Sequence, residues 1–326
     1  MQLVLPYKYL FIPPSVDNFN LSIIVIGAGG TGGYFIRDLA RYISTGSING
    51  FQLKDVSSLL IVDGDAVEEK NITRQNFIPV DIGRNKAEVM AERYGSAFGI
   101  KAGYIPQYYG LSTTGLRDLY GVSYNLLSSS DINIASNNYL LVVSCTDSVA
   151  ARIDIDKDIQ KIIYDLPFLN SVVWVDSGNE EFNGQIVISS VIGVYLNRGS
   201  AVTLKFEGET LEHISGELPS MLFWYPELLK EKEKRRSEMS CAELAVSSPQ
   251  TINVNIMAGM LLFNTVVNLL TNNLTYYKLN FDTLSSVVTK SPITKDIPFK
   301  FVPYQTPDPE NNVISTVSSE TFNLAV

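Results

Sequence analysis

Residues 21–43, LSIIVIGAGGTGGYFIRDLARYI, constrain this chain more than any other stretch. Leu21–Ile26 is an apolar, largely β-branched run that ends at Gly27, the pattern of a strand buried on both faces. GYFIRDLARYI follows, with Phe35, Leu39 and Ile43 on one helical face. Between strand and helix stands GAGGTGG, Gly27–Gly33, with G-x-G-x-x-G at Gly27, Gly29 and Gly32. Glycine permits the tight turn and lets the backbone approach a phosphate. The helix behind it offers free N–H groups and the positive end of its dipole. The glycine pattern alone also occurs as a plain packing turn. Its place between a buried strand and a helix favours a nucleotide, held by Gly27, Gly29, Gly30 and Gly32.

The rest of the chain continues the alternation. SLLIVDGD, YLLVVSCTD, SVVWVDSGN and GQIVISSVIG read as further buried strands, and KAGYIPQYYG as another. NKAEVMAERYGSAFG is a helix stopped by Gly99, and SVAARIDIDKDIQ a second. Residues 44–57 read as a polar insertion, 111–138 as a Ser- and Asn-rich polar stretch, and 191–220 as irregular chain. PELLKEKEKRRSEMS carries a charge run expected on a solvated helix face. LTYYKLNFDTLSSVVTKSPI reads as a terminal hairpin. Strands alternating with helices imply right-handed crossovers. The fold expected is α/β and Rossmann-like: a mostly parallel sheet with flanking helices and antiparallel C-terminal strands. Four parts are expected. Residues 1–20 form an N-terminal arm and 21–190 the nucleotide-binding region. Residues 191–300 hold a crossover segment, a Cys-bearing loop, a core helix and the hairpin of the same domain. Residues 301–326 form a mobile tail.

Composition excludes several functions. A net charge of -9 repels a phosphate backbone, so no nucleic acid is expected as a partner. Two cysteines, Cys145 and Cys241, exclude a disulfide framework and a four-cysteine zinc site. A reducing compartment fits, so a cytoplasmic location is expected. The N-terminal MQLVLPYKYLFIPPS is broken by prolines and carries no signal pattern. INVNIMAGMLLFNTVVNLL is apolar over 19 residues, yet it holds Asn253, Asn255, Asn264 and Asn268. Bare amides in hydrocarbon are costly, so it is expected as a core helix, not a membrane span.

Three further groups carry chemistry. Asp63 ends the second strand, where a carboxylate can accept from both ribose hydroxyls. It lies 31 residues after Gly32, because of the insertion, and Asp65 is similar in type. Asn71, Arg74 and Gln75 follow in VEEKNITRQNF, with Lys86 after them. A dinucleotide pocket for hydride transfer does not need three phosphate-seeking side chains there. A triphosphate does, because its charge and that of a leaving pyrophosphate must be neutralised. Asp147, in CTDS at the end of a buried strand, is a hard oxygen ligand suited to Mg²⁺ beside a triphosphate. Cys145 reads as a small buried hydrophobe. The single histidine, His213, reads as an ordinary loop residue.

GAGGTGG, IVDGD, E-x-x-N-x-x-R-Q-x-F, D-I-G-x-x-K-A and S-C-T-D stand in this order and at these intervals over residues 20–190. The combination resembles the ThiF/MoeB/ubiquitin-activating superfamily. WVDSGNEEFNGQIVI is similar to the family's next strand pair. LPSMLFWYPEL and SCAELAVSSPQTINVNIMAG look most like the ThiF proteins of PRTRC plasmid systems, which extends the likeness to about residue 285. The resemblance implies an adenylating enzyme. It would bind ATP and Mg²⁺ and adenylate the C-terminal glycine carboxylate of a ubiquitin-like or sulfur-carrier β-grasp protein, as a homodimer. By matched position, Gly27, Gly29 and Gly32 would hold the nucleotide and Asp63 the ribose. Asn71, Arg74, Gln75 and Lys86 would contact phosphates, and Asp147 the metal.

Cys241 occupies an S/N-C-x-x-A position comparable to the family's acyl- or persulfide-forming cysteine. It reads equally as a partly buried structural cysteine. The zinc-binding C-x-x-C pairs of many relatives are missing, so no zinc is expected. No arginine occurs in the first 20 residues to be donated to a neighbouring subunit. Two other readings stay open: an NAD-dependent oxidoreductase on the same glycine turn, and a non-catalytic nucleotide-binding module that recruits partners.

Overall fold

The computed structural model describes residues 11–12, 16, 18–110, 115–128, 137–166, 168–192, 202–206, 209–213, 218, 225 and 250–293. β1 (Phe19–Ile26) is buried at every residue, as its apolar run demands. It leads through the glycine turn into α1 (Gly30–Thr45), which buries Phe35, Leu39 and Ile43. The insertion folds into a two-strand hairpin, β2 (Ser47–Ile48) and β3 (Phe51–Gln52), and a single helical turn, α2 (Leu53–Val56). β4 (Ser57–Val62) follows, again fully buried. Next come the short α3 (Glu69–Ile72), a 3₁₀ turn at Pro79–Asp81, α4 (Lys86–Phe98) and β5 (Ala102–Ile105). Asn85 caps α4 by accepting from the Glu88 N–H, and Gly99 ends it in the left-handed region, φ 61°.

α5 (Leu116–Ser128), β6 (Asn137–Ser144), α6 (Val149–Asp165), β7 (Leu169–Asn179) and β8 (Asn183–Ile192) follow. β9 (Val202–Phe206) and β10 (Glu209–His213) form a separate two-stranded sheet among the described residues. α7 (Ile252–Leu270) precedes the hairpin β11 (Tyr276–Asp282) and β12 (Val287–Pro292).

Eight strands form one sheet in the order β12-β11-β8-β7-β6-β1-β4-β5. The five from β5 to β7 are parallel, and β8, β11 and β12 extend them antiparallel. The sheet is therefore α/β and Rossmann-like, with the antiparallel C-terminal strands expected. Successive residues of one strand feed two cores. Ile23 and Val25 of β1 face the core under α1, α4 and α7, while Ile24 and Ile26 face the one under α5 and α6. Val173 and Val175 of β7 face the first core, and Val172 and Trp174 the second.

Several sequence expectations change. The polar stretch 111–138 contains a helix, α5, which buries Leu116, Leu119, Tyr120 and Ser123 on one face. Its Gly, Ser and Asn residues are weak helix formers, but the apolar stripe packed on β4 and β1 outweighs them. Residues 191–220 are not wholly irregular, since β9 and β10 form a hairpin within them, and His213 is the last residue of a strand, not of a loop. In the N-terminal arm, Phe11 and Ile12 are buried in the core, and the Ile12 carbonyl accepts from Asn272 Nδ2 at 3.0 Å. α7 has the length and composition of a membrane span. Here it packs on α1 and on β7 and β8, with Val254, Ala258, Leu262, Val266 and Leu269 in the core. Cys241, the charge run at 226–240 and the tail at 301–326 lie outside the described residues.

Candidate functional site

The strand order reverses beside β1: β4 follows it in sequence on one side, and β6 lies on the other. In open α/β sheets, ligands bind at the carboxyl ends of the strands at such a switch. Here those ends open into a cavity of about 790 Å³. Gly27 begins its floor. Its N–H donates to the Val62 carbonyl at 2.8 Å, and its φ of +97° suits glycine alone. A Cβ at Gly32 would lie 1.9 Å from the Gly27 carbonyl oxygen, so the turn closes only without one. Gly29 differs. The nearest atom to a Cβ there is Gln75 Nε2, at 3.9 Å, and the space above it belongs to the cavity.

Asp63 stands at the end of β4 and is clipped to the turn. Its Oδ2 accepts from the Ala28 N–H at 2.7 Å and its Oδ1 from the Asp65 N–H at 2.8 Å. Burial raises its pKa, the Lys86 charge opposes that rise, and the Asp65 charge adds to it. Both oxygens keep further lone pairs for a ligand hydroxyl. Lys86, in the first turn of α4, is almost fully buried, with its Nζ 2.9 Å from Asp65 Oδ2. Tyr108 Oη donates to the other Asp65 oxygen at 2.6 Å. Asp65 thus holds the lysine and is itself held.

Arg74 and Gln75 both line the cavity, and the buried Gln75 Oε1 has no hydrogen-bond partner among the described residues. Asn71 does not line it. It is 2% exposed, and its Oδ1 accepts from the Glu68 N–H at 2.8 Å in a reciprocal cap of α3. Its backbone carbonyl accepts from the Arg74 and Gln75 N–H groups. The structure therefore places Asn71 beneath the loop that presents Arg74 and Gln75, away from the cavity wall.

The far wall begins at the end of β6. Asp147 lines the cavity and is exposed. Cys145 is half-buried, and the surrounding protein together with the Asp176 charge pushes its thiol pKa well up. That agrees with an unreactive thiol. Beneath it lies a buried network that the sequence did not reveal. Arg152 Nε donates to both carboxylate oxygens of Asp176, at 3.1 and 3.2 Å, and its second nitrogen to the Ser177 carbonyl. Ser144 Oγ also donates to Asp176, and Trp174 Nε1 to Ser144 Oγ at 2.7 Å. Arg152 sits four residues beyond the helix cap Ser148, one turn into α6, and that spacing alone could have directed it at the crevice.

Asn179, Gln185, Gln250 and Asn280 extend the lining toward β7, β8 and β11 with amide groups. Among the described residues, no group of three His, Cys, Asp or Glu side chains could hold a metal by itself. A cation beside Asp147 would take most of its ligands from a bound phosphate and water, which is the habit of Mg²⁺. A triphosphate fits the donors present: two cations, Arg74 and Lys86, beside a glycine turn with open space at Gly29. The structure brings together Gly27, Gly29, Gly30, Asp63, Asp65, Arg74, Gln75, Lys86 and Asp147. It keeps Asn71 and Gly32 behind the wall as supports.

The chain is 34% identical over 90 residues to the NEDD8-activating enzyme E1 catalytic subunit of Caenorhabditis elegans, covering 26% of this chain and 18% of that protein. The chain thus spans about a fifth of that curated relative's length. Among solved structures, PaaA superposes with a TM-score of 0.47 at 15% identity over 84% of this chain and 64% of PaaA. MccB of E. coli, crystallised with ATP, gives a TM-score of 0.45 at 14% identity over 85% of this chain and 66% of MccB. The model of the ThiF family matches residues 17–296, most of the length and every element that builds the cavity, and the chain belongs to the ThiF family.

Proposed function

We propose that this chain uses ATP to adenylate the C-terminal glycine carboxylate of a ubiquitin-like or sulfur-carrier β-grasp protein. One observation carries the reading: in a ThiF-family chain, Arg74, Gln75 and Lys86 meet Asp63 and the glycine turn at one cavity. An oxidoreductase would leave those three side chains without a task.

The reaction is an in-line displacement. A carboxylate oxygen bonds to the α-phosphorus, the bond from that phosphorus to the bridging oxygen breaks, and pyrophosphate leaves. A C-terminal carboxylate is ionised at neutral pH, so no general base is required. What remains is positioning and charge neutralisation. Gly27 and Gly29 let the backbone approach the phosphates, with α1 directing its N-terminus at them. Asp63 receives the ribose hydroxyls. Arg74 offers a planar fork and Lys86 a point charge to the developing pyrophosphate. Asp147 would hold Mg²⁺, which neutralises phosphate charge. Cys241 then takes the acyl group as a thioester, with AMP leaving, and the working unit is a homodimer.

ATP–pyrophosphate exchange, measured with a β-grasp protein that ends in glycine, tests the reading. Exchange is expected to fall at least about 100-fold in Arg74→Ala and in Asp147→Ala, the scale of losing a transition-state charge contact. Exchange that persists in both variants overturns the mechanism. ATP binding without exchange points to a partner-recruiting module. Cys241→Ala is expected to abolish a thioester adduct and leave exchange intact.

A further inference from the structure

Asn255 is the least expected polar group in the core. It stands in the first turn of α7, is 1% exposed, and has Val254 and Ala258 as buried neighbours on the helix. An amide buried there costs about 1–3 kcal/mol unless its hydrogen bonds are made. Its side chain makes none within α7. Nδ2 donates to the Arg74 backbone carbonyl at 3.3 Å, across 181 residues of sequence. Oδ1 accepts from Asn179 Nδ2 at 3.3 Å. Asn179 Nδ2 also donates to Thr31 Oγ1 at 2.6 Å, in the first turn of α1. The glycine turn is moulded to the same amide: a Cβ on Gly30 would lie 2.4–2.7 Å from the Asn255 side-chain atoms.

Two neighbours fix this end of α7 to the β7–β8 turn. Gln250 Nε2 donates to the Asn179 carbonyl at 3.2 Å, and Thr251 Oγ1 to the Glu181 carbonyl at 3.1 Å. Asn255 is therefore the point where the helix, the glycine turn, the end of β7 and the Arg74 loop meet. The Arg74–Gln75 segment follows a helix of only four residues, α3, and its own backbone bonds run back to Asn71. Asn255 supplies a bond to it from outside that local structure.

We propose that Asn255 is a positioning residue: by holding the Arg74 carbonyl it sets where the Arg74 and Gln75 side chains stand over the glycine turn. The inference rests on the reading that these side chains contact ATP. It assigns to α7, none of whose residues lines the cavity, control over the geometry of phosphate binding. A buried amide that served the fold alone would affect stability without acting through Arg74.

The test has two parts on the full chain. The first is a double-mutant cycle on Mg²⁺–ATP affinity by titration calorimetry, using wild type, Asn255→Ala, Arg74→Ala and the double variant. Asn255→Ala is expected to weaken affinity about tenfold, the size of one well-placed hydrogen bond, and to add less than about twofold once Arg74 is gone. Equal losses in both backgrounds, or no loss in either, overturn the proposal. Wild type that binds no ATP refutes the nucleotide reading itself, a different failure. The second part needs no nucleotide. Amide hydrogen exchange at Arg74–Phe77 is expected to quicken in Asn255→Ala while β1 and β6 amides stay protected. Asn255→Asp keeps the side-chain volume and the acceptor facing Asn179 but loses the donor to Arg74. It is expected to reproduce both effects if Asn255→Ala proves too unstable to purify. An unchanged exchange pattern in a folded Asn255→Asp protein also overturns the proposal.

Discussion

Lys86 Nζ lies 2.9 Å from Asp65 Oδ2, with 7% of the lysine side chain and 20% of the aspartate exposed. The cation proposed to meet a phosphate is thus paired with a carboxylate and oriented by it. Removing one member of a buried pair strands the other charge, at a cost of about 3–5 kcal/mol. Asp65→Ala is therefore expected to destabilise the fold on that scale in urea denaturation. Lys86→Met leaves Asp65 with the Tyr108 hydroxyl and is expected to cost less, while abolishing ATP binding. An Asp65→Ala protein within about 1 kcal/mol of wild type would show that the pair contributes little.

The glycines of one turn should separate by role. A Cβ at Gly32 meets the Gly27 carbonyl oxygen at 1.9 Å, whereas one at Gly29 meets nothing nearer than 3.9 Å. Gly32→Ala is expected to lower the melting temperature by several degrees, as strain at a closed turn does. Gly29→Ala is expected to melt with wild type yet to bind ATP at least about tenfold more weakly, because the methyl group occupies the approach of the phosphate. Calorimetric melting and ATP titration on the two variants decide the matter, and equal behaviour of the pair contradicts it.

Cys145 and Cys241 should differ in chemistry. Crowding by protein and the Asp176 charge hold the Cys145 thiol well above its ordinary pKa. A raised thiol pKa means less thiolate at every pH below it, so reactivity is suppressed across the neutral range. In native protein at pH 8, iodoacetamide is expected to modify Cys145 at least about tenfold more slowly than an unstructured cysteine, whose pKa is about 8.5. Asp176→Asn, which removes one of the two causes, is expected to quicken it. Peptide mass spectrometry follows both cysteines at once, and Cys145 reacting at the free-thiol rate contradicts the assignment.

What was legible in the sequence was local. The glycine turn, Asp63, Arg74, Gln75 and Lys86 are marked by residue type and by the buried strands that precede them, and Gly27, Gly29, Gly30 and those four side chains line one cavity. Asn71 stands off the cavity wall, and the sequence does not show this because a capping amide and a phosphate-binding amide are the same residue in the same kind of loop. Only its 2% exposure and its bond to the Glu68 N–H tell them apart. The bonds of Asn255 and Arg152 are not legible in the sequence because their partners, Arg74 and Asp176, lie 181 and 24 residues away. No periodicity reports such a distance. α5 was missed for a different reason: its glycine, serines and asparagine suppress the propensity signal, and tertiary packing on β4 supplies the stability instead.

β1 pairs with β4 and β6 in unbroken register, from Leu21 opposite Ser57 and Tyr139 to Ile26 opposite Val62 and Ser144. Its odd and even residues serve different cores, and the glycine turn begins one residue past its end. Inserting or deleting one residue in this strand would exchange the occupants of both cores and rotate Gly27 away from the Val62 carbonyl. The length of β1 is therefore locked by both its neighbours and the turn that follows it. The architecture of the cavity and the ability to fold would be lost in the same mutational step.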